Sequence, residues 1–144
     1  MTIDKPDRPD RGQEAYDYIP DGLRAKIPPL HATDGTADPM VWIKLFTPDC
    51  SWTWYVTEAS ALMRDWHHRS INGGGDHVVF AGESDEVTDV VCFGLVVGHA
   101  TELGYFSLSE IRRARGALGL PVERDLFFQP APLSDVCARH ARTP

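Results

Sequence analysis

The chain has no paired-cysteine spacing, no long apolar run and no excess of positive charge. Its three cysteines, Cys50, Cys92 and Cys137, lie far apart with no C-x-x-C among them. An odd, scattered set argues against a disulfide framework or a standard zinc site and points to reduced thiols in the cytoplasm. The longest apolar stretch, Val90–Val97 (VVCFGLVV), is far short of the roughly 20 residues that cross a bilayer. The opening MTIDKPDRPDRGQEAYDYIPDG lacks the apolar core of a signal peptide. With 14 Lys+Arg against 21 Asp+Glu, the net charge of −7 favours solubility. It disfavours non-specific nucleic-acid binding, which needs clustered cations. Nucleophile elbow, H-E-x-x-H, Walker loop and Ser/Cys–His patterns are all missing. The run Gly73-Gly74-Gly75 is not followed by the Lys-Ser/Thr of a phosphate loop.

What remains is enough for one folded domain. The chain has 144 residues, 42% of them hydrophobic, which suits a single core. Residues 1–21 are polar and proline-bearing and read as a flexible arm. Asp21 is placed to cap a short helix, Gly22–Ile27, that Pro28-Pro29 ends. VWIKLFT and SWTWYVTE then predict a hairpin of strands 41–47 and 51–58 around Pro48–Cys50. Period-two alternation places Trp52, Trp54, Val56 and Glu58 on one face. Ser51, Thr53, Tyr55 and Thr57 fall on the other, a hydroxyl-rich and wet one. Residues 59–76 read as a helical turn and loop inserted between strands, and His77–Ala81 as a further strand. GESDEVTD is an acidic turn, and Val90–Gly98 is too apolar for a wet face, which puts it in the middle of the sheet.

The most specific local signal is S-x-x-E at Ser107 and Glu110, flanked by Phe106 and Ile111: a capping box with its hydrophobic staple. It predicts a helix over Leu108–Arg115, stopped by Gly116. A strand near Glu123–Phe128 and a short helix near Leu133–His140 follow. The domain is taken as 22–136 and the tail as 137–144. Strands dominate without a regular βαβ order, so the fold class is α+β, with a mostly antiparallel sheet and two or three short helices.

IPPLHAT, WTWYVTE, FGLVVGHATELGYFSLSEI and GLPVERDLFFQPAPLSDV, in that order, make the chain resemble the bacterial family catalogued as domain of unknown function 2958. The resemblance spans about residues 22–136. It implies a setting of bacteria, plasmids, integrated elements and phages, and it brings no reaction, cofactor or catalytic residue with it.

Candidate sites are judged on chemistry. Trp52 and Trp54 can stack a base or a sugar ring, or can be core. Tyr55 is the surface candidate on the second face. Glu58, Glu102, Glu123 and Asp125 can supply an acid/base pair if they converge, although Glu123-Arg124-Asp125 also suits an inter-strand ion-pair cluster. His67, His68, Asp76 and His77 match no metal signature, so neither metal nor cofactor is expected. Residues 111–144 hold six arginines against three acids, and residues 45–110 two arginines against ten acids. This asymmetry can orient the protein on a partner. The residues expected to bind a partner protein are Glu83, Asp85, Glu86, Asp89, Tyr55, Arg112 and Arg113. The reading is a non-catalytic accessory protein of a bacterial mobile element or phage that binds a host or element-encoded protein, in its sharper form a counter-defence inhibitor. A small carboxylate-dependent hydrolase or nucleic-acid-processing enzyme and a single-strand nucleic-acid binder are the alternatives. No membrane partner is expected.

Overall fold

The computed structural model describes residues 16–64, 66–72 and 87–141. In chain order these form α1 (Asp21–Arg24), β1 (Met40–Val41), β2 (Ile43–Phe46), β3 (Thr53–Met63), β4 (His68–Ser70), β5 (Val87–Val97), β6 (Thr101–Ser107), α2 (Leu108–Arg113), β7 (Glu123–Arg124), β8 (Ala131–Pro132) and α3 (Leu133–Ala141). The main sheet runs β6-β5-β3-β2-β7, with β4 returning along the far part of β3. Every pairing is antiparallel. A single α+β domain with a mostly antiparallel sheet is therefore what the chain builds.

β3 and β5 are the spine, eleven residues each. Their ladder is broken near its middle and again at its end, between Leu62 and Met63. Val56 faces Gly94, but the next pair is Glu58 with Phe93, so Thr57 is an extra residue on β3. Its hydroxyl donates to the Phe93 carbonyl at 2.9 Å. Gly94 is what allows the two strands to meet here: a Cβ on it would stand 1.7 Å from the Tyr55 carbonyl oxygen. The extra residue inverts the alternation. Trp54 and Val56, then Ala59, Ala61 and Met63, all enter one core with Cys92, Phe106, Leu108 and Ile111. Glu58 is thus turned to the face of Tyr55, against the expectation that it shares the face of the tryptophans.

A second core fills the other face. Tyr55 and Leu95 pack with Val41, Ala131 and Val136. The chain after Arg124 crosses this face and α3 settles on it, so Tyr55 is only 3% exposed. The expected wet face is dry because it is covered by a segment seventy residues later in the chain. Burying such a side chain is worth roughly 1.5–3 kcal/mol, enough to hold a short helix that could not stand alone.

Two remote aspartates start α2 and α3. The Ser109 amide donates to Asp89 Oδ1 at 3.0 Å and its hydroxyl to Asp89 Oδ2 at 2.6 Å. Asp38 receives the Ser134 amide at 2.8 Å and its hydroxyl at 2.6 Å. Each carboxylate satisfies an N-terminal amide that the helix cannot satisfy itself. The capping box is present in its first half: Ser107 Oγ accepts from the Glu110 amide at 3.2 Å.

Several expectations are corrected. Tyr16 and Ile19 lie in the first core, so chain from Tyr16 onward is anchored rather than part of a flexible arm. Pro20, not Asp21, precedes α1, and no side chain caps it. Residues 59–63 form the end of β3 and residues 68–70 a return strand, not a helical turn in a loop, because Ala59, Ala61 and Met63 continue the apolar alternation into the core. β6 was not foreseen. α2 ends at Arg113, before Gly116. Only Glu123 and Arg124 of the expected 123–128 strand are paired. Residues 137–141 are helical rather than tail. The expected strand at His77–Ala81 lies outside the described residues.

Candidate functional site

The four carboxylates considered for acid/base work do not meet. Glu58 is 2% exposed. Its oxygens accept the amides of His31 and Thr33 at 2.8 and 2.9 Å, together with the Thr33 hydroxyl. It pins the 30–35 turn to the sheet from a position closed to solvent. Asp125 pairs with Lys44 at 3.5 Å across the β2–β7 edge and accepts the Phe127 amide at 2.9 Å. This is the inter-strand ion pair that the Glu-Arg-Asp run suggested. Glu102 and Arg124, at the two ends of one row across the sheet, are four ladder steps apart. At about 4.8 Å a step, that puts Glu102 roughly 19 Å from the β7 strand that carries Glu123.

The remaining candidates separate as well. His67 and His68 are exposed, Asp76 and His77 lie outside the described residues, and no group of three metal-capable side chains occurs among the described residues. Glu83, Asp85 and Glu86 also lie outside them. Asp89 is in β5 and holds the start of α2, so it is a structural carboxylate. Arg113 is exposed and Arg112 partly so. Arg115 donates to the carbonyls of Arg112 and Ala114 at 2.8 and 2.7 Å, closing the C-terminus of α2.

Tyr55 is not a surface residue. Its hydroxyl lies 2.7 Å from His140 Nε2, and its ring meets Phe128 and His140 at centroid distances of 5.9 and 5.4 Å. Burial, reinforced more weakly by Lys44 and Arg139, pushes His140 below its usual range. Burial likewise pushes Tyr55 up, with Arg139 opposing. A neutral imidazole and a protonated phenol result, a pair that locks α3 to the sheet.

The tryptophans of SWTWYVTE are packing groups first. Trp54 is buried in the core, and Trp52 stacks beside it at 6.0 Å. Trp52 lies flat over Gly98, where a Cβ would come within 2.3 Å of its ring. His99 stands edge-on to it at 5.3 Å.

Several large apolar side chains are also left open to solvent. Trp66, at the tip of the β3–β4 hairpin, is 80% exposed and has φ +73°. The Met63 amide donates to the His67 carbonyl at 2.7 Å and the Trp66 amide to the Met63 carbonyl at 2.9 Å, which hold the tip in shape. A bulky residue at positive φ is strained by roughly 1–3 kcal/mol, a strain that clusters where function needs the geometry. Leu118, Leu126 and Phe127 are also well exposed, and so are Leu103 and Tyr105 on β6. Sequence reasoning passed over all of these. A tryptophan beside His67-His68 in a polar loop was the one available signal.

No helix among the described residues is long and apolar enough to cross a membrane. The family described as a protein of unknown function, DUF2958, matches residues 71–143. No curated protein and no solved structure matches the chain. The chain belongs to the DUF2958 family.

Proposed function

We propose that this DUF2958 protein is a non-catalytic accessory protein that acts by binding another protein, with Trp66 as its anchor. The observation that carries the reading is the strained, 80% exposed indole at the hairpin tip. Tryptophan is the residue type most often found at the energetic centre of an interface, because a large rigid surface is buried at low entropic cost. The carboxylates point the same way: Glu58, Asp89 and Asp125 serve the fold. Around the tip the sequence holds Arg64, Arg69 and two histidines against one acid, Asp65. The complementary partner offers an apolar pocket with an acidic rim.

The setting we propose is a bacterial mobile element or phage, on the strength of the family resemblance. The sharper form, a counter-defence inhibitor, draws on the chain outside the Trp66 hairpin, which is acidic enough to bring the net charge to −7 and suits a basic groove beyond that rim.

The test is affinity capture from a bacterial host with the wild type, Trp66→Ala and Leu103→Lys as baits. A protein held by the wild type and by Leu103→Lys but lost with Trp66→Ala supports the reading. Equal retention by all three refutes the Trp66 anchor. Retention that vanishes on nuclease treatment refutes the protein partner and favours a nucleic acid stacked on the indole.

A further inference from the structure

β6 has the properties of an edge that another strand covers. Among the described residues it pairs with β5 alone, and all seven of its residues pair without a register shift. Alternate residues of a regular antiparallel edge direct their N–H and C=O groups away from the neighbour, so a straight row of backbone groups faces outward. Proteins guard such edges by shortness, lysine, proline or a bulge. The other edge strands are short: β7 has two residues and β4 three. β6, with sequence TELGYFS, has none of these guards, and its one charge is Glu102.

Its side chains extend the case. Leu103 and Tyr105 are 51% and 56% exposed on the face of the second core. Tyr105 lies against Phe93 at 4.8 Å and His31 at 6.1 Å. Apolar surface therefore reaches the outer edge of the sheet.

Gly104 lies between them. A glycine inside a strand costs roughly 0.5–1 kcal/mol relative to alanine, and here nothing among the described residues requires it. A Cβ at Gly104 meets no atom within 4 Å, unlike the one at Gly94 across the ladder. Glycine within a strand marks a place where another backbone comes close.

We propose that β6 pairs antiparallel with β6 of a second copy, about a two-fold axis through Gly104. In that register Leu103 faces the partner's Tyr105, and the converse pair forms by symmetry. Thr101 meets the partner's Ser107, and Glu102 meets the partner's Phe106. No like charges are opposed, which is what cross-strand pairing requires. Gly104 faces itself, with Cα atoms about 4.5–5.5 Å apart, where the missing Cβ leaves room. The two main sheets become one continuous sheet, and the Trp66 hairpins remain outside the interface.

The test is sedimentation of the full chain together with register-specific cross-linking. At a concentration on the order of 100 μM, where mass action populates even a weak dimer, the wild type sediments as a dimer and Leu103→Lys as a monomer. Circular dichroism of Leu103→Lys should match the wild type, since the position is half exposed. With Cys50 and Cys137 replaced by Ser, Gly104→Cys oxidises to a covalent dimer, because its Cα separation lies inside the roughly 4.4–6.8 Å that a disulfide spans. Thr101→Cys, facing Ser107, does not. A monomeric wild type overturns the proposal. So does a dimer that Leu103→Lys leaves intact, or equal cross-linking at positions 101 and 104.

Discussion

The Tyr55 hydroxyl and His140 Nε2, 85 residues apart in sequence, lie 2.7 Å apart between the sheet and α3. This contact, with Phe128 beside it, closes the second core and turns a two-layer fold into a sheet covered on both faces. Tyr55→Phe keeps the ring and removes the bond. It should cost about 1 kcal/mol, the net worth of one hydrogen bond, read from urea unfolding midpoints. An unchanged midpoint would mean that α3 is held by apolar contact alone.

The same pair sets an acid response. His140 is held below its ordinary 6.5 by burial, with Lys44 and Arg139 adding to it. The unfolded chain therefore binds the proton first, and stability is full above about pH 6.5 and falls as the pH drops below it. A second loss follows below the ordinary carboxylate value of 3.8, because Asp38 is depressed by its bonds to the Ser134 hydroxyl and amide. Unfolding free energy measured between pH 8 and 5 should show the first loss in the wild type and a smaller one in His140→Gln. Parallel curves would remove His140 from the acid response.

Gly94→Ala tests the ladder break. The added methyl carbon would meet the Tyr55 carbonyl oxygen at 1.7 Å, and that atom is backbone and cannot rotate away. A loss of about 3 kcal/mol or more is expected, at or beyond the usual range for overpacking. Gly104→Ala, with open space around it, should leave protomer stability unchanged or raised. Thermal melts of the two variants in a Leu103→Lys background separate these effects from dimerisation.

Ser107→Ala removes an N-cap that accepts the Glu110 amide, and Asp89→Ala removes the carboxylate that holds Ser109. Each should cost about 1 kcal/mol. Because both serve the same turn of α2, their effects should fall short of additivity in the double variant. Additive losses would show two independent contacts.

The difference between these two caps explains what the sequence made legible. Ser107 and Glu110 are three residues apart, and their pairing is a local rule. Asp89 reaches Ser109, and Asp38 reaches Ser134, only after the sheet has assembled, and no spacing announces that. Alternation along WTWYVTE was read correctly as far as Val56. It failed at Glu58 because the extra residue Thr57 is dictated by β5 across the ladder. Tyr55 was read as exposed because the cover, α3, comes from the far end of the chain. β6 was missed because Gly104 interrupts its strand-forming residues and the capping box after it drew the reading toward helix. Glu58 and Asp125, suspected of chemistry, are accounted for by amides and a cation that only the fold brings near them.

Arm deletions separate the anchored from the dispensable. Removing residues 1–15 should leave Tm nearly constant. Extending the deletion through Ile19 removes Tyr16 and Ile19 from the core and should lower Tm by many degrees, as the loss of two buried side chains implies. Equal melting of both deletions would mean that the two residues contribute nothing to the core.

Binding through Trp66 rather than catalysis is tested most directly by the affinity of the captured partner for the wild type and for Trp66→Ala. The indole is exposed in the free protein, so its removal should leave unfolding free energy within about 0.5 kcal/mol. Affinity should fall by about 2 kcal/mol or more, roughly thirtyfold, as for an interface hot spot. An affinity unchanged by Trp66→Ala, in a variant as stable as the wild type, would contradict the account.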